Sequence, residues 1–198
     1  MKHLNLLAKG NKKMDKSVFN WSITPIESCP NCKDCAKTCY ARFPYYYYKV
    51  TKKAWDRNFA LAKSGEFKKH IINQLKKSRI CEFVRIHTSG DFFSQQYIND
   101  WKEIIETFPN IKFYTYTKTL HLFDFSEITS LPNFNLINSI AFDGGLNYGD
   151  KNRVKFLQSH GYIVCPATIS QENKEKFHCG STCFICMKKK KVCFYQHK

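Results

Sequence analysis

The pattern of apolar and polar positions alternates between short strands and amphipathic helices. Segments rich in β-branched and aromatic residues predict strands at 18–23, 80–87, 111–117, 135–142 and 161–166. Apolar residues recur at helical spacing over 51–79, with a break at Ser64-Gly65, and again over 94–108, 123–129 and 151–160. Repeated strand–helix units are typical of parallel βαβ folds. We therefore expect an α/β protein, either a partial (β/α) barrel or an open parallel sheet of about five to six strands.

Changes in composition divide the chain into three parts. Residues 1–17 are polar and lysine-rich without a clear period, which predicts a loose N-terminal arm. Residues 18–169 carry the α/β pattern, and they include a cysteine-rich loop at 29–39. Residues 170–198 are again cysteine-rich and are predicted to form a knot that folds around metal and packs on the barrel rim.

The loop at 29–39 has the spacing of a metal site. Its run Cys29-x2-Cys32-x2-Cys35-x3-Cys39 matches the ferredoxin-type pattern for a [4Fe–4S] cluster, although Tyr40 stands where ferredoxins have proline. Short spacings turn several sulfurs toward one point at a low cost in closure entropy. Zinc is the alternative, but four-cysteine zinc sites usually combine two pairs across a longer span.

A second cysteine set follows the last predicted strand. Cys179-x3-Cys183-x2-Cys186 has the spacing associated with radical S-adenosylmethionine enzymes, in which three thiolates leave one iron open for that cofactor. Those enzymes carry the motif after the first strand, and zinc knuckles use similar spacings. Either Cys165 or Cys193 would complete a four-ligand set. The set would bind a second cluster or share the first.

Polar residues at the ends of the predicted strands form the rest of the candidate site. Parallel α/β folds gather their sites at the carboxyl ends of strands. We expect Arg85, His87, Ser89 and Asp91 to be catalytic, donating hydrogen bonds to the cluster or acting as acid and base. The alternative for His87 and Asp91 is a pair that caps the strand end. The expected cofactor-binding residues are Tyr40, Lys118 and Asp143.

Composition adds a strong positive charge. Lysine and arginine number 32 against 16 acidic residues, a formal net charge of +16, which favours a polyanionic partner such as nucleic acid. A solvated lysine-rich surface is the alternative. The tyrosines at 45–48 would shield a cluster or stack on bases. No apolar run reaches the roughly 20 residues of a membrane helix and no signal peptide opens the chain, so we expect a cytoplasmic protein without a membrane partner.

The ordered motifs resemble those of a bacteriophage family, the gene product 88-like proteins. The matching segments are Cys29-Pro30, Cys35-x3-Cys39-Tyr40-Ala41, 85–94 (RIHTSGDFFS), 114–118 (YTYTK), 165–168 (CPAT) and Cys179-x3-Cys183-x2-Cys186. The resemblance implies a viral protein made in the host cytoplasm, and its layout is similar to a reduced radical-SAM-type barrel. The family pattern leaves out Cys32.

Two functional hypotheses follow. The first is a viral [4Fe–4S] protein in redox or radical-SAM-like chemistry, with a host redox partner. It would be an enzyme if one iron is open, and otherwise an electron carrier or a structural cluster protein. The alternative is a zinc-stabilised, basic nucleic-acid-binding module.

Overall fold

A single sheet of five strands organises the chain. The computed structural model describes residues 4–11, 14–30, 32, 34–138, 159, 163–164, 181, 183–188 and 192–193. The strands lie side by side in chain order: β1 (Ala8–Asn11), β2 (Met14–Ser22), β3 (Phe83–Ser89), β4 (Lys112–Thr117) and β5 (Phe134–Asn138). β1 pairs antiparallel with β2, whereas β2 to β5 are parallel.

Helices connect the parallel strands. The link from β2 to β3 contains α1 (Arg42–Tyr47), α2 (Lys49–Lys63) and α3 (Phe67–Lys76). The next two links contain α4 (Gln95–Thr107) and α5 (Ser126–Thr129). Ser94 caps α4, its hydroxyl accepting from the Tyr97 amide at 3.2 Å. The predicted break is also present, since Gly65 follows α2 with a φ of +74°.

The main hydrophobic core lies between the sheet and the helices. Trp21 of β2 packs against Phe67 of α3 and Trp101 of α4, with ring centroids 5.5 and 5.9 Å apart. Buried apolar residues of β2, β3 and β4 join those of α2, α3, α4 and α5 in the same cluster. Because successive strand residues alternate between faces, these helices all cover one face, here called the helix face.

The opposite face of the sheet, here called the second face, has a smaller cluster. Met14, Val18, Tyr114 and Ile137 pack there with Cys186 of a short helix, α6 (Ile185–Lys188). Two further strands, β6 (Ile163–Val164) and β7 (Val192–Cys193), pair with each other in parallel. The strand predicted at 161–166 is therefore not a sixth strand of the main sheet in the part that the structure describes.

The fold corrects two expectations. The sheet is open, which was one of the two expected alternatives, but it is mixed rather than wholly parallel, because β1 returns antiparallel along β2. Residues 8–11 and 14–17, predicted to belong to a loose arm, lie in β1 and β2. Most of the predicted C-terminal metal knot, at 170–198, lies outside the described residues, so the knot stays a prediction. No helix within the described ranges combines the length and apolarity that a bilayer crossing requires.

Candidate functional site

The end of β3 is fastened to the loop that carries the first cysteines. The Ile23 amide donates to the Ser89 carbonyl at 3.1 Å, and the Ser89 hydroxyl donates to the Ile23 carbonyl at 2.9 Å. Gly90 follows with a φ of +88°, and a Cβ there would lie 2.2 Å from Ile23 Cγ1 and 2.6 Å from Ser28 Oγ. Only glycine fits this approach, which brings the cysteine loop against the β3 end.

Asp91 joins the loop to the ends of β3 and β4. Its buried carboxylate accepts at Oδ1 from the Phe92 amide at 2.8 Å and the Thr117 hydroxyl at 2.6 Å. Its Oδ2 accepts from the Lys118 amide at 2.9 Å. Burial raises the pKa of Asp91 above its ordinary value, and these hydrogen bonds oppose the shift. In turn, the Asp91 amide donates to the Ser28 carbonyl at 3.3 Å.

Lys118 reaches from β4 to the cysteine loop. Its Nζ donates to Cys35 Sγ at 2.8 Å, while its backbone amide is held by Asp91. The deprotonated thiolate is the form of cysteine that binds metal. Thus two predicted site residues that are 83 positions apart in sequence lie in direct contact.

Cys29 is a half-buried thiol at the start of this loop. Burial raises the pKa of Cys29 to about 12, and the nearby Asp91 and Cys39 raise it further, against hydrogen bonds from the Ile26 and Ser28 side of the turn. Cys29 is therefore a neutral thiol at physiological pH. A metal bound there would displace this proton.

The loop cysteines are neither bridged nor gathered around a single point. Cys29, Cys32, Cys35 and Cys39 are half-buried free thiols. Within the ranges that the structure describes, no three His, Cys, Asp or Glu side chains are close enough together to hold one metal ion. A compact mononuclear site is therefore not preformed by these residues.

Tyr40 closes the loop over the second face of β3. Its hydroxyl donates to the Thr88 carbonyl, and the Thr88 hydroxyl donates to Asn20 Oδ1 at 3.2 Å. Tyr40 thus fixes the end of the cysteine run to β3. Its expected role in cofactor binding stays a prediction.

The four predicted catalytic residues do not form one cluster. Ser89 and Asp91 lie at the β3 end, whereas Arg85 lies on the second face with its guanidinium 5.1 Å from the Tyr116 ring centroid. His87 lies in the main core, where Nε2 is 2.9 Å from the Tyr97 hydroxyl. Desolvation lowers the pKa of His87 to about 3, so its imidazole is neutral. His87 thus packs as a neutral core residue, and both its catalytic role and the strand-end cap with Asp91 stay predictions.

A change in register explains this separation. Asn20 pairs with Arg85 but Ser22 pairs with Ser89, so β3 contains two extra residues between these pairs. His87 lies within this bulge, and its φ of +62° is in the left-handed region. The bulge places consecutive residues Ile86 and His87 in the core, which simple alternation would not allow.

One supporting network gave no clear signal in the sequence. Asp56 of α2 accepts from the Thr24 hydroxyl at 2.8 Å and the Tyr45 hydroxyl at 2.7 Å, and it pairs with Lys52 Nζ at 2.6 Å. Burial would raise the pKa of Asp56, but these three hydrogen bonds hold it below its ordinary value. The network holds α1 and α2 against the start of the cysteine loop. Only the Lys52–Asp56 spacing of i, i+4 could have suggested it.

The later cysteines are described in part. Cys183 and Cys186 are buried, and the Cys186 carbonyl accepts from Asn135 Nδ2 at 2.7 Å. Cys186 therefore lies on the second face beside Tyr116, whose pKa is raised by burial, rather than at the strand ends. Cys193 is described only as part of β7. Cys165, Cys179 and Asp143 lie outside the described residues, so a shared or second cluster stays a prediction.

Comparison with known proteins places the chain among phage proteins. A family model described as "Gene product 88" matches residues 5–144. The Gene 88 protein of Mycobacterium phage D29 is 26% identical over 168 residues, covering 79% of this chain and 68% of that protein. The Gene 88 protein of Mycobacterium phage L5 is 30% identical over 104 residues, covering 46% of this chain and 43% of that protein. No solved structure matches significantly.

Proposed function

This chain belongs to the gene product 88 family, and we propose that it is a viral iron–sulfur protein that binds a [4Fe–4S] cluster at the carboxyl ends of β2, β3 and β4. Cys29, Cys35 and Cys39 are the proposed ligands. The observation that carries the proposal is the contact of Lys118 with Cys35, which joins the thiol loop to Asp91 at the strand ends.

The residues present fit such a group. The loop offers free, half-buried thiols on one short segment, as cluster ligation requires. A cluster held by thiolates carries negative charge, and the Lys118 ammonium supplies a compensating charge at Cys35.

The chain's own residues have distinct roles in this site. Asp91 positions the Lys118 backbone, and Lys118 hydrogen-bonds one ligand sulfur. Gly90 and Ser89 hold the loop against β3, while Tyr40 anchors its far end. Cys29 must release its proton when a metal binds. When bound, the cluster would supply one-electron chemistry, and an iron without a thiolate would accept S-adenosylmethionine.

The test is anaerobic purification followed by iron, acid-labile sulfide and zinc analysis. We expect iron and sulfide in equal amounts with a brown colour, and loss of both from Cys29→Ala, Cys35→Ala and Cys39→Ala. Cys81→Ala is the matched control, because Cys81 is a part-buried thiol that packs on the main core. Its metal content should equal that of the wild type.

Three results would contradict the proposal. These are zinc without sulfide, no metal after reconstitution with iron and sulfide, or equal losses from Cys81→Ala and the loop variants. Cys183→Ala and Cys186→Ala show whether the later cysteines hold part of the iron. Titration of S-adenosylmethionine against the electron paramagnetic signal then separates an enzyme from an electron carrier, because only an open iron responds.

A further inference from the structure

We propose that the exposed rings of α1 and of Tyr48, which follows it, form with the basic residues beside them a binding surface for single-stranded nucleic acid. The aromatic patch consists of Phe43, Tyr46, Tyr47 and Tyr48. This activity is separate from cluster binding and does not require it.

The patch is unusually open for rings of this size. Phe43 is 64% exposed, Tyr46 65%, Tyr47 68% and Tyr48 50%, whereas Tyr45 is buried. The expectation that the tyrosine run shields the cysteines therefore holds for none of the three exposed tyrosines. Large apolar groups that stay in solvent mark interaction sites.

The rings are arranged as a stacking platform. Phe43 and Tyr47 lie one turn apart on α1 and stack with centroids 5.2 Å apart at an angle of 15°. Tyr48 meets the Tyr47 ring edge to face at 4.9 Å. The Arg42 guanidinium lies 6.0 Å from the centroid of Tyr46. Bases of an unpaired strand stack on such faces with little dependence on sequence.

The charge around the patch selects a polyanion. Residues 35–55 contain five lysines and arginines and no aspartate or glutamate. Lys52 is neutralised by Asp56, but Arg42, Lys49 and Lys53 are exposed on the same segment. Lys49 and Lys53 are four residues apart, hence on one face of α2. A second copy of this chain, with its formal charge of +16, is repelled by this surface.

Exposed rings distinguish a single strand from a duplex. Bases in a duplex are already stacked on each other, so flat side chains gain little from them. An unpaired strand exposes its base faces and its phosphates. The rings of the patch can stack on the bases, and the neighbouring cations can bind the phosphates. We therefore expect single-stranded DNA or RNA to bind more tightly than the corresponding duplex.

The experiment is fluorescence anisotropy with labelled oligonucleotides of about 20 nucleotides, single-stranded and duplex, over a range of salt concentrations. Phe43→Leu/Tyr47→Leu keeps an apolar surface but removes two rings, and should weaken single-strand binding about fivefold or more per ring without changing its salt dependence. Lys49→Gln/Lys53→Gln should reduce the slope of log K against log salt by about 1.4, since each phosphate contact on a single strand contributes about 0.7.

Matched controls lie at the other end of the helical layer. Lys76→Gln/Lys77→Gln neutralises two exposed lysines at the end of α3 and should leave the slope unchanged. Cys81→Ala, the control variant of the metal analysis, should bind oligonucleotides as the wild type does. The proposal fails if single strands do not bind, if the duplex binds equally well, or if both lysine pairs have equal effects. Self-association or vesicle binding that the ring variant abolishes, without oligonucleotide binding, would also overturn it.

Discussion

Asp91 is the residue on which the candidate site depends most. Its two oxygens accept three hydrogen bonds from the ends of β3 and β4, and its own amide reaches the cysteine loop. A carboxylate suits this position because every neighbour named here is a donor. Residues that bind several elements in this way are costly to replace, since each substitution leaves a buried donor without an acceptor.

Replacing this carboxylate with an amide tests its role. Asp91→Asn retains the shape of the side chain, but its NH2 group replaces one carboxylate oxygen and faces a hydrogen-bond donor. That donor is left without an acceptor, so we expect the free energy of unfolding to fall by about 3 kcal/mol. Urea denaturation measures the change. Glu82→Gln removes an exposed carboxylate near the start of β3 and should stay within about 0.5 kcal/mol of the wild type. Equal stability of both variants would contradict the assigned network.

His87 makes stability depend on pH. The folded imidazole stays neutral down to a pKa of about 3, whereas the unfolded one takes a proton below about 6.5. The unfolded state therefore binds more protons between these values, and the free energy of unfolding should fall as pH falls, by at most about 1.4 kcal/mol per pH unit.

A variant isolates this contribution. Asparagine tolerates the positive φ at position 87 but does not titrate. The difference in free energy of unfolding between the wild type and His87→Asn should therefore shrink steadily from pH 7 to pH 5. The raised pKa of Asp91 makes the free energy of unfolding rise as pH falls, but it does so in both proteins and therefore cancels when they are compared. A difference that is constant over this range would show that the imidazole is not buried as a neutral group.

At the scale of elements, the junction of β3 with the cysteine loop requires a glycine. Gly90→Ala adds a Cβ 2.2 Å from Ile23 Cγ1 at a φ of +88°, and we expect a loss of about 4 kcal/mol from strain and overpacking together. Gly65→Ala is the matched control, because its φ is +74° but the nearest atom lies 3.7 Å away. It should cost only about 1 kcal/mol by thermal or urea unfolding, and similar losses in both would exclude the clash.

Much of the element pattern could be predicted from the sequence. Clear apolar periodicity indicated β3, β4 and α2 to α4. β1 was missed because an exposed edge strand of Ala8 to Asn11 shows no apolar alternation, and its pairing uses backbone groups. α1 was missed because its aromatic residues favour strands, and a six-residue helix depends on tertiary contacts such as the Tyr45–Asp56 bond.

The candidate site was predictable only where strand ends determine it. Chain order alone suggested that the cysteine loop, Asp91 and Lys118 would meet, because parallel strands bring their carboxyl ends to one edge. The position of His87 could not be predicted, since the two-residue bulge that turns it into the core leaves no mark in residue spacing. The exposure of the α1 rings depends on packing in the same way.

At the scale of the whole molecule, the helix face and the second face are covered differently. Helices α2 to α5 cover the first, while the described cover of the second includes α6, held to β5 by the Asn135–Cys186 hydrogen bond of 2.7 Å. Asn135→Ala leaves the Cys186 carbonyl without this donor. We expect faster alkylation of the buried Cys186 thiol by iodoacetamide, read by mass spectrometry.

The control for this prediction is Asn99→Ala. Asn99 makes an exposed side-chain hydrogen bond with Gln95 on α4 and has no role on the second face. Alkylation of Cys186 should then proceed at the wild-type rate. Unchanged reactivity in Asn135→Ala would mean that other contacts hold α6 in place.

Because the order of the five strands in space equals their order in the chain, assembly can follow synthesis. Each strand that leaves the ribosome meets an edge that its predecessor has already formed, so no early segment must wait for a distant one. The contact of α6 with β5 joins residues 51 positions apart, so it can form only after the sheet strands have been synthesised. For a protein made in an infected cell, this vectorial route limits the time during which an unpaired β-edge is exposed to aggregation.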